Sequence, residues 1–237
     1  ENPPDWFNRA LKAKVSQGFV EVQGCKVHYR SWGPIGLPGL VLIHGSNAHL
    51  EWWRFVAPFL ADQFRVVALD LSGHGDSGWR STYSGSLFAQ EVMAVCEAAH
   101  LGDKPFIVAH SFGGFVGLET GHHFGEKLGG IIFADFTVEP PERYIEWGKK
   151  ADQRGGEAAR ATRIYPAEDE ALARFRLIPE QPCQHAFVVD FIARQSLRAV
   201  TGGVTWKFDP GLFDFLEMGL DQRDKFVGLK CRSAVLL

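Results

Sequence analysis

One serine in this chain stands where backbone geometry could make it reactive. Ile107-Val108-Ala109-His110-Ser111-Phe112-Gly113-Gly114 reads as a short buried strand entering a helix through a sharp turn, with Ser111 at the apex. Such a turn strains the apex residue and presses neighbouring segments together, so the positions two before and two after it must be small. Ala109 and Gly113 meet that demand, with a methyl where a glycine is usual. A serine hydroxyl is a weak nucleophile until a base accepts its proton, after which it attacks a carbonyl carbon. Taken alone, the segment is equally a plain Ser-Gly turn. Two other loops bear on the choice: His44-Gly45-Ser46-Asn47, and Gly73-His74-Gly75-Asp76-Ser77 after a strand ending near Asp70.

The elements that must position these loops follow from the apolar pattern. Phe19–Val22 and Lys26–Trp32 flank a Gln23-Gly24 turn signal and predict a hairpin. Leu40–Ile43, Arg65–Leu69, Phe106–Ala109 and Gly130–Ala134 are short uninterrupted apolar runs, the pattern of strands buried on both faces. Segments of helical length lie between them, at Glu51–Gln63, Ser86–Ala99 and Gly113–Phe124. Alternating strands and helices imply a parallel sheet with right-handed crossovers. From Thr137 to Val204 the chain turns charged and proline-bearing, with helices expected at 157–162, 168–175 and 185–199 and no strand, the pattern of an inserted helical cap. The strand pattern returns only at Arg232–Leu237.

Strand-H-G, strand-D-x-x-G-H-G-x-S and the serine turn, in this order and spacing, resemble the α/β-hydrolase family, in its cap-bearing, esterase-like branch, from about Phe19 to Leu237. The resemblance implies an α/β fold, a mostly parallel sheet flanked by helices with an inserted helical cap. Residues 1–136 would form the first part of the core, 137–205 the cap and 206–237 an incomplete second part, with the last strands and helix missing. It makes Ser111 the nucleophile and gives the oxyanion hole to the backbone N–H groups of Phe112 and Ser46. An aspartate at the apex would point to a dehalogenase or epoxide hydrolase; Ser111 points to a carboxylesterase-like hydrolase acting on a small ester or acyl substrate through an acyl-enzyme. A carbon–carbon bond hydrolase, a perhydrolase and a non-catalytic binding protein on the same scaffold are the alternatives. No metal or organic cofactor is expected.

The family places its acid and histidine after Ser, so both would fall beyond Leu237, and the chain is expected to lack roughly 40 to 60 residues and to be poorly active as it stands. None of the nine histidines is a clear substitute. His44 and His74 belong to the loop motifs, His110 adjoins the serine with its ring expected to turn away, His122 and His123 sit at the far end of the following helix, and His185 lies in the cap. Asp135 ends the strand before the cap; it either caps that exit locally or, as in some members of the family, supplies the acid. Trp52, Trp53, Phe55, His110, Phe112 and Phe136 are candidates to line a substrate pocket, although the spacing of Trp52 and Phe55 equally suits the buried face of a helix. Asp70, Asp76 and Asp135 lie at separate strand ends and lack metal-ligand spacing.

Bulk properties narrow the partners. A net charge of -3 and a pI near 6.3, without a basic run, argue against nucleic acid. Cys25, Cys96, Cys183 and Cys231 form no C-x-x-C pair, which suggests free thiols in a reducing, cytoplasmic setting. No apolar run approaches the roughly 18 residues that a membrane span needs, and the first residues do not form a signal peptide.

Overall fold

The computed structural model describes residues 2–154, 162–177 and 180–236. In chain order the elements are α1 (Asp5–Lys12), β1 (Ser16–Val22), β2 (Cys25–Trp32), β3 (Gly39–Ile43), β4 (Arg65–Leu69), β5 (Tyr83–Ser84), α2 (Gly85–Ala98), β6 (Phe106–His110), α3 (Phe112–Phe124), β7 (Gly130–Ala134), α4 (Pro141–Arg154), α5 (Glu168–Leu172), α6 (Ala186–Gln195), β8 (Leu197–Val200), β9 (Gly203–Trp206), β10 (Leu216–Glu217), α7 (Gln222–Val227) and β11 (Ser233–Leu236). Seven strands form one sheet in the order β1-β2-β4-β3-β6-β7-β11. β1 and β2 pair antiparallel through Gln23 and Gly24, both at positive φ, the geometry of a two-residue hairpin loop. β2 is antiparallel to β4, and every pairing from β4 to β11 is parallel.

The central strands are buried on both faces, as their unbroken apolar runs predict. Val41 and Ile43 of β3 face one core layer with Phe88, Val92 and Val116 from α2 and α3. Leu40 and Leu42 face the other, with Trp32, Leu50 and Ala57. That second face is covered not by the helix expected at 51–63 but by two 3-10 turns, Leu50–Trp53 and Ala57–Leu60. Pro58 lies at the start of the second turn, where it lacks a donor and disfavours α-helix in the preceding residue, so a continuous helix cannot form.

The 137–205 segment also departs from expectation. α5 ends at Leu172 and α6 at Gln195, and α4 adds a helix at residues 141–154 beyond the three expected. The helix expected at 157–162 lies almost wholly outside the described residues. Where no strand was expected, β8 and β9 form an antiparallel hairpin. Val200, Val204 and Thr205 favour strands, and Gly202 and Gly203 take the positive φ values of 91° and 145° that the turn requires. A side chain at Gly203 would also collide with the Tyr165 carbonyl. After the hairpin the chain is sewn to the 73–83 region: Gly75 N–H donates to Lys207 O (2.7 Å), Asp209 N–H to Gly73 O (2.7 Å), and Tyr83 Oη to Asp209 Oδ2 (2.8 Å). Among the described residues no helix is long and apolar enough to cross a membrane.

Candidate functional site

Ser111 joins β6 to α3 with φ 52° and ψ -121°, a conformation that costs a non-glycine residue on the order of 1–3 kcal/mol. Its own N–H donates to Ala134 O on β7 (2.9 Å), and its carbonyl accepts Gly114 N–H (2.7 Å), the first bond of the helix turn. The small residues around it have identifiable reasons. A Cβ at Gly113 would lie 2.6 Å from His44 O and 2.8 Å from Ile43 O. A Cβ at Gly114 would run into the Phe136 ring. The methyl of Ala109 is tolerated because Gly117 faces it from α3: a Cβ at Gly117 would stand 3.0 Å from Ala109 Cβ. The room that the usual first glycine provides is thus supplied one helical turn later.

The His44–Asn47 loop comes to the same place. A Cβ at Gly45 would lie 3.2 Å from Ser111 Cβ and 3.1 Å from His110 Nδ1, so a glycine there lets backbone pack directly beside the serine. Ser46 follows in a turn closed by Ala48 N–H to Gly45 O (3.3 Å), with Asn47 at φ 54°. Ser46 is exposed, and α3 presents its N-terminal backbone N–H groups and positive dipole end beside Ser111.

Of the other predicted residues, some gather here and some do not. Phe136 stacks on Phe133 (5.5 Å between centroids) beside Gly114. The Phe112 ring instead enters the core, edge-on to Phe88 (5.7 Å) and Phe213 (5.2 Å), leaving its backbone at the turn. Trp53 packs on the opposite sheet face from Phe136, against the layer of Leu40 and Leu42. Trp52 is half-buried with its indole N–H unpartnered among the described residues, and Phe55 packs on Phe7 and Phe191. The aromatic pocket candidates are therefore dispersed, because the first 3-10 turn ends at Trp53 and Phe55 lies between it and the second, outside any helix that would hold 52 and 55 on one face. His110 is half-exposed, with Nε2 4.0 Å from Asp135 Oδ2, and Asp135 is exposed at φ 51°. His122 and His123 adjoin one another at the far end of α3, where His123 faces Glu119 (3.6 Å), and His185 precedes α6 beside Phe187. Among the described residues no histidine hydrogen-bonds Ser111 Oγ.

Beneath the loops lies a buried polar cluster that sequence spacing could not show. Asp70 Oδ1 accepts Leu50 N–H (2.7 Å), while Oδ2 accepts His28 Nδ1–H (2.8 Å) and Asp76 N–H (3.0 Å). These bonds outweigh burial and hold the Asp70 carboxyl down at about 2. His28, Asp70 and Asp76 place one potential ligand atom each within 4.8 Å, a set in which His28 stands where the sequence offered Asp135. Asp70 already accepts three donors and Asp76 is paired with Lys207 (3.0 Å), so the carboxylates of this set have hydrogen-bond or ion-pair partners within the chain. His49 donates to Ser196 Oγ (2.8 Å), and burial pushes its imidazole down to about 4. Arg80 and Glu91 form a buried pair (2.8 Å) that braces the 72–80 loop. The partners in these contacts are up to 147 residues apart, so no local motif announces them.

Comparison with known proteins agrees with this architecture. The crystal structure of E-2-(acetamidomethylene)succinate hydrolase superposes with a TM-score of 0.75 at 16% identity, over 94% of this chain and 80% of that one, a likeness of fold. The soluble epoxide hydrolase of Corynebacterium sp. is 40% identical over 45% of this chain and 36% of its own length. The pimeloyl-[acyl-carrier protein] methyl ester esterase of Edwardsiella ictaluri is 32% identical over 41% of this chain and 36% of its own. The chain spans less than half the length of these curated relatives. The sequence model of the alpha/beta hydrolase family matches residues 40–227, from β3 through α7 and so across both loops and the serine turn. With a match over most of its length and the fold to go with it, the chain belongs to the alpha/beta hydrolase family.

Proposed function

We propose that this chain carries the nucleophile and oxyanion hole of a serine hydrolase acting on a carboxylic ester or related small acyl substrate. The carrying observation is the strained Ser111 at the N-terminus of α3 with the Gly45 backbone packed against its Cβ. In this reading Ser111 Oγ attacks the substrate carbonyl as its proton passes to a base. The tetrahedral oxyanion is held by the N–H groups of Phe112 and Ser46, the alkoxide leaves protonated, and water then hydrolyses the acyl-enzyme. The methyl ester esterase among the relatives supports ester chemistry, and the epoxide hydrolase shows that the scaffold serves others. A serine at the apex favours acyl transfer, since it forms an ester that water reopens. Asp135 supports a role as the acid, because it follows Ala134, whose carbonyl holds Ser111 N–H, and its carboxylate is exposed on the same side as His110. No base is assigned among the described residues.

The test is labelling by a fluorophosphonate, read by peptide mass, alongside hydrolysis of short-chain aryl esters. An adduct on Ser111 that is lost in Ser111→Ala is expected. No adduct and no turnover would overturn the proposal, and turnover only of a β-diketone or formation of peracid would move it to the other chemistries.

A further inference from the structure

The loop proposed to carry an oxyanion donor is held at both ends by two consecutive residues of a neighbouring strand end. At its start, His44 Nδ1 donates to Gly45 O (2.8 Å) and His44 Nε2 accepts the N–H of Leu71 (3.1 Å). At its finish, Leu50 N–H donates to Asp70 Oδ1 (2.7 Å). Asp70 is fixed in turn by His28 and the Asp76 backbone. His44, Leu50, Asp70 and Leu71 are all buried, so water does not compete for these bonds. From the other side the close approach of Gly113 to His44 O ties the same residue to the serine turn. We infer that His44 and Asp70 are positioning residues that together clamp the 44–50 loop and thereby set where the Ser46 N–H stands relative to Ser111. The inference rests on the proposed reading of Ser46 as an oxyanion donor.

The hydrogen bonds also assign a protonation state. A backbone N–H can only donate, so His44 Nε2 is bare and the single ring proton sits on Nδ1. The groups around this ring are Asp70 at the end of β4, His110 at the end of β6, the neutral His74 ring 4.8 Å away and, farther off, His49. Burial drives His44 below its ordinary value in spite of Asp70, in keeping with the neutral ring that the bonds require.

Two substitutions separate the halves of the clamp. His44→Asn keeps a donor near the Nδ1 position and loses the acceptor for Leu71; His44→Gln reaches the Nε2 position and loses the bond to Gly45. Each, and Asp70→Asn, is expected to lower the maximal rate of fluorophosphonate labelling about 10- to 100-fold, less than the roughly 10²–10³ for loss of a whole donor. The reagent concentration giving half-maximal rate should stay unchanged, and Asp76→Ala, which keeps its backbone bond to Asp70, should label normally. Long-range proton–nitrogen NMR of the unmutated chain should show His44 predominantly neutral and protonated at Nδ1 at pH 6.5, where an ordinary imidazole is half-charged, with the Leu50 and Leu71 amides slow to exchange and faster in His44→Asn. Normal labelling of folded His44→Asn and His44→Gln overturns the clamp while the serine hydrolase reading stands. If the unmutated chain does not label, that reading fails, and the ring proton and the two amides decide the clamp alone: an Nε2-protonated or charged His44, or unprotected amides, overturns it.

Discussion

Adding one methyl at Gly113 tests whether the serine turn and β3 are packed to contact. The new Cβ would lie 2.6 Å from His44 O, 2.8 Å from Ile43 O and 3.0 Å from Ile43 Cγ2. Ordinary carbon–oxygen contacts begin near 3.3 Å, so helix and strand must part by roughly 0.5–0.7 Å. β3 cannot easily yield, because Leu40–Leu42 are paired with β4 on one side and β6 on the other. Overpacking of this kind costs about 1–3 kcal/mol, against which alanine regains about 0.5–1 kcal/mol over glycine within a helix. Gly113→Ala is therefore expected to lose about 1–2 kcal/mol, or roughly 2–8 °C in Tm for a chain of this size. Labelling of Ser111 should slow in parallel, since the displaced atoms belong to the loop beside it. Gly125→Ala, where the nearest neighbour is Lys230 Cβ at 3.3 Å, is the comparison and should stay within about 0.5 kcal/mol of the unmutated chain. Urea unfolding followed by tryptophan fluorescence reads all three proteins. A Gly113→Ala chain as stable as the original and labelled at the original rate would refute the contact argument.

Other perturbations separate strain, charge and protonation. Ser111→Gly relieves the φ 52° conformation and should raise stability by about 1 kcal/mol in thermal melts while abolishing labelling; a lower Tm would show that the apex is not strained. Arg80→Ala leaves Glu91 buried without its guanidinium and should cost about 3–5 kcal/mol in the free energy of urea unfolding, whereas Arg80→Met with Glu91→Leu should recover only part of it, because the buried Ser72 N–H then loses its Glu91 acceptor. Acid should weaken the fold through its histidines. His49 takes up a proton near its ordinary 6.5 when unfolded but only at about 4 when folded, so the unfolded chain binds more protons between those values and stability falls as pH drops through them. The full loss for His49 is on the order of 3 kcal/mol, with His44 and His74, also pushed down by burial, acting in the same direction. His49→Gln should make the urea midpoint fall less between pH 7.5 and 4.5 than in the unmutated chain, and an unchanged pH profile would contradict this, since buried Glu51 and Glu91, pushed up by desolvation, act in the opposite direction in both proteins.

What could be read in the sequence was whatever the backbone alone decides. The strands from Leu40 to Ala134 announce themselves because burial on both faces leaves unbroken apolar runs, and the serine turn does so because crowding admits only small residues at 109 and 113. Where side chains from distant segments decide, local pattern fails. The aromatic run at 52–55 has helical spacing, yet Pro58 divides the segment and its rings disperse to three surroundings. The β8–β9 hairpin hides in a stretch of helical composition because its turn depends on two glycines and its packing on Tyr165. The Asp70 cluster recruits His28 from 42 residues away, which no motif records.

The same division runs through the site itself. Its proposed reactive half is made of backbone: N–H groups at the start of α3, a glycine packed against the serine, and an apex residue held at a strained φ. Backbone groups carry no identity in a sequence, so they show only through the small residues that make room for them, and these can move. Ala109 looks like a defect in the usual spacing until Gly117 is seen facing it, and together the two meet the steric demand that one glycine meets elsewhere. A spacing rule is thus the one-dimensional trace of a contact between strand and helix, and it holds only as closely as that contact does. It follows that the Ala109→Gly chain should gain nothing in reactivity, whereas Gly117→Ala, with no such space opposite it, should slow Ser111 without touching any group that meets substrate.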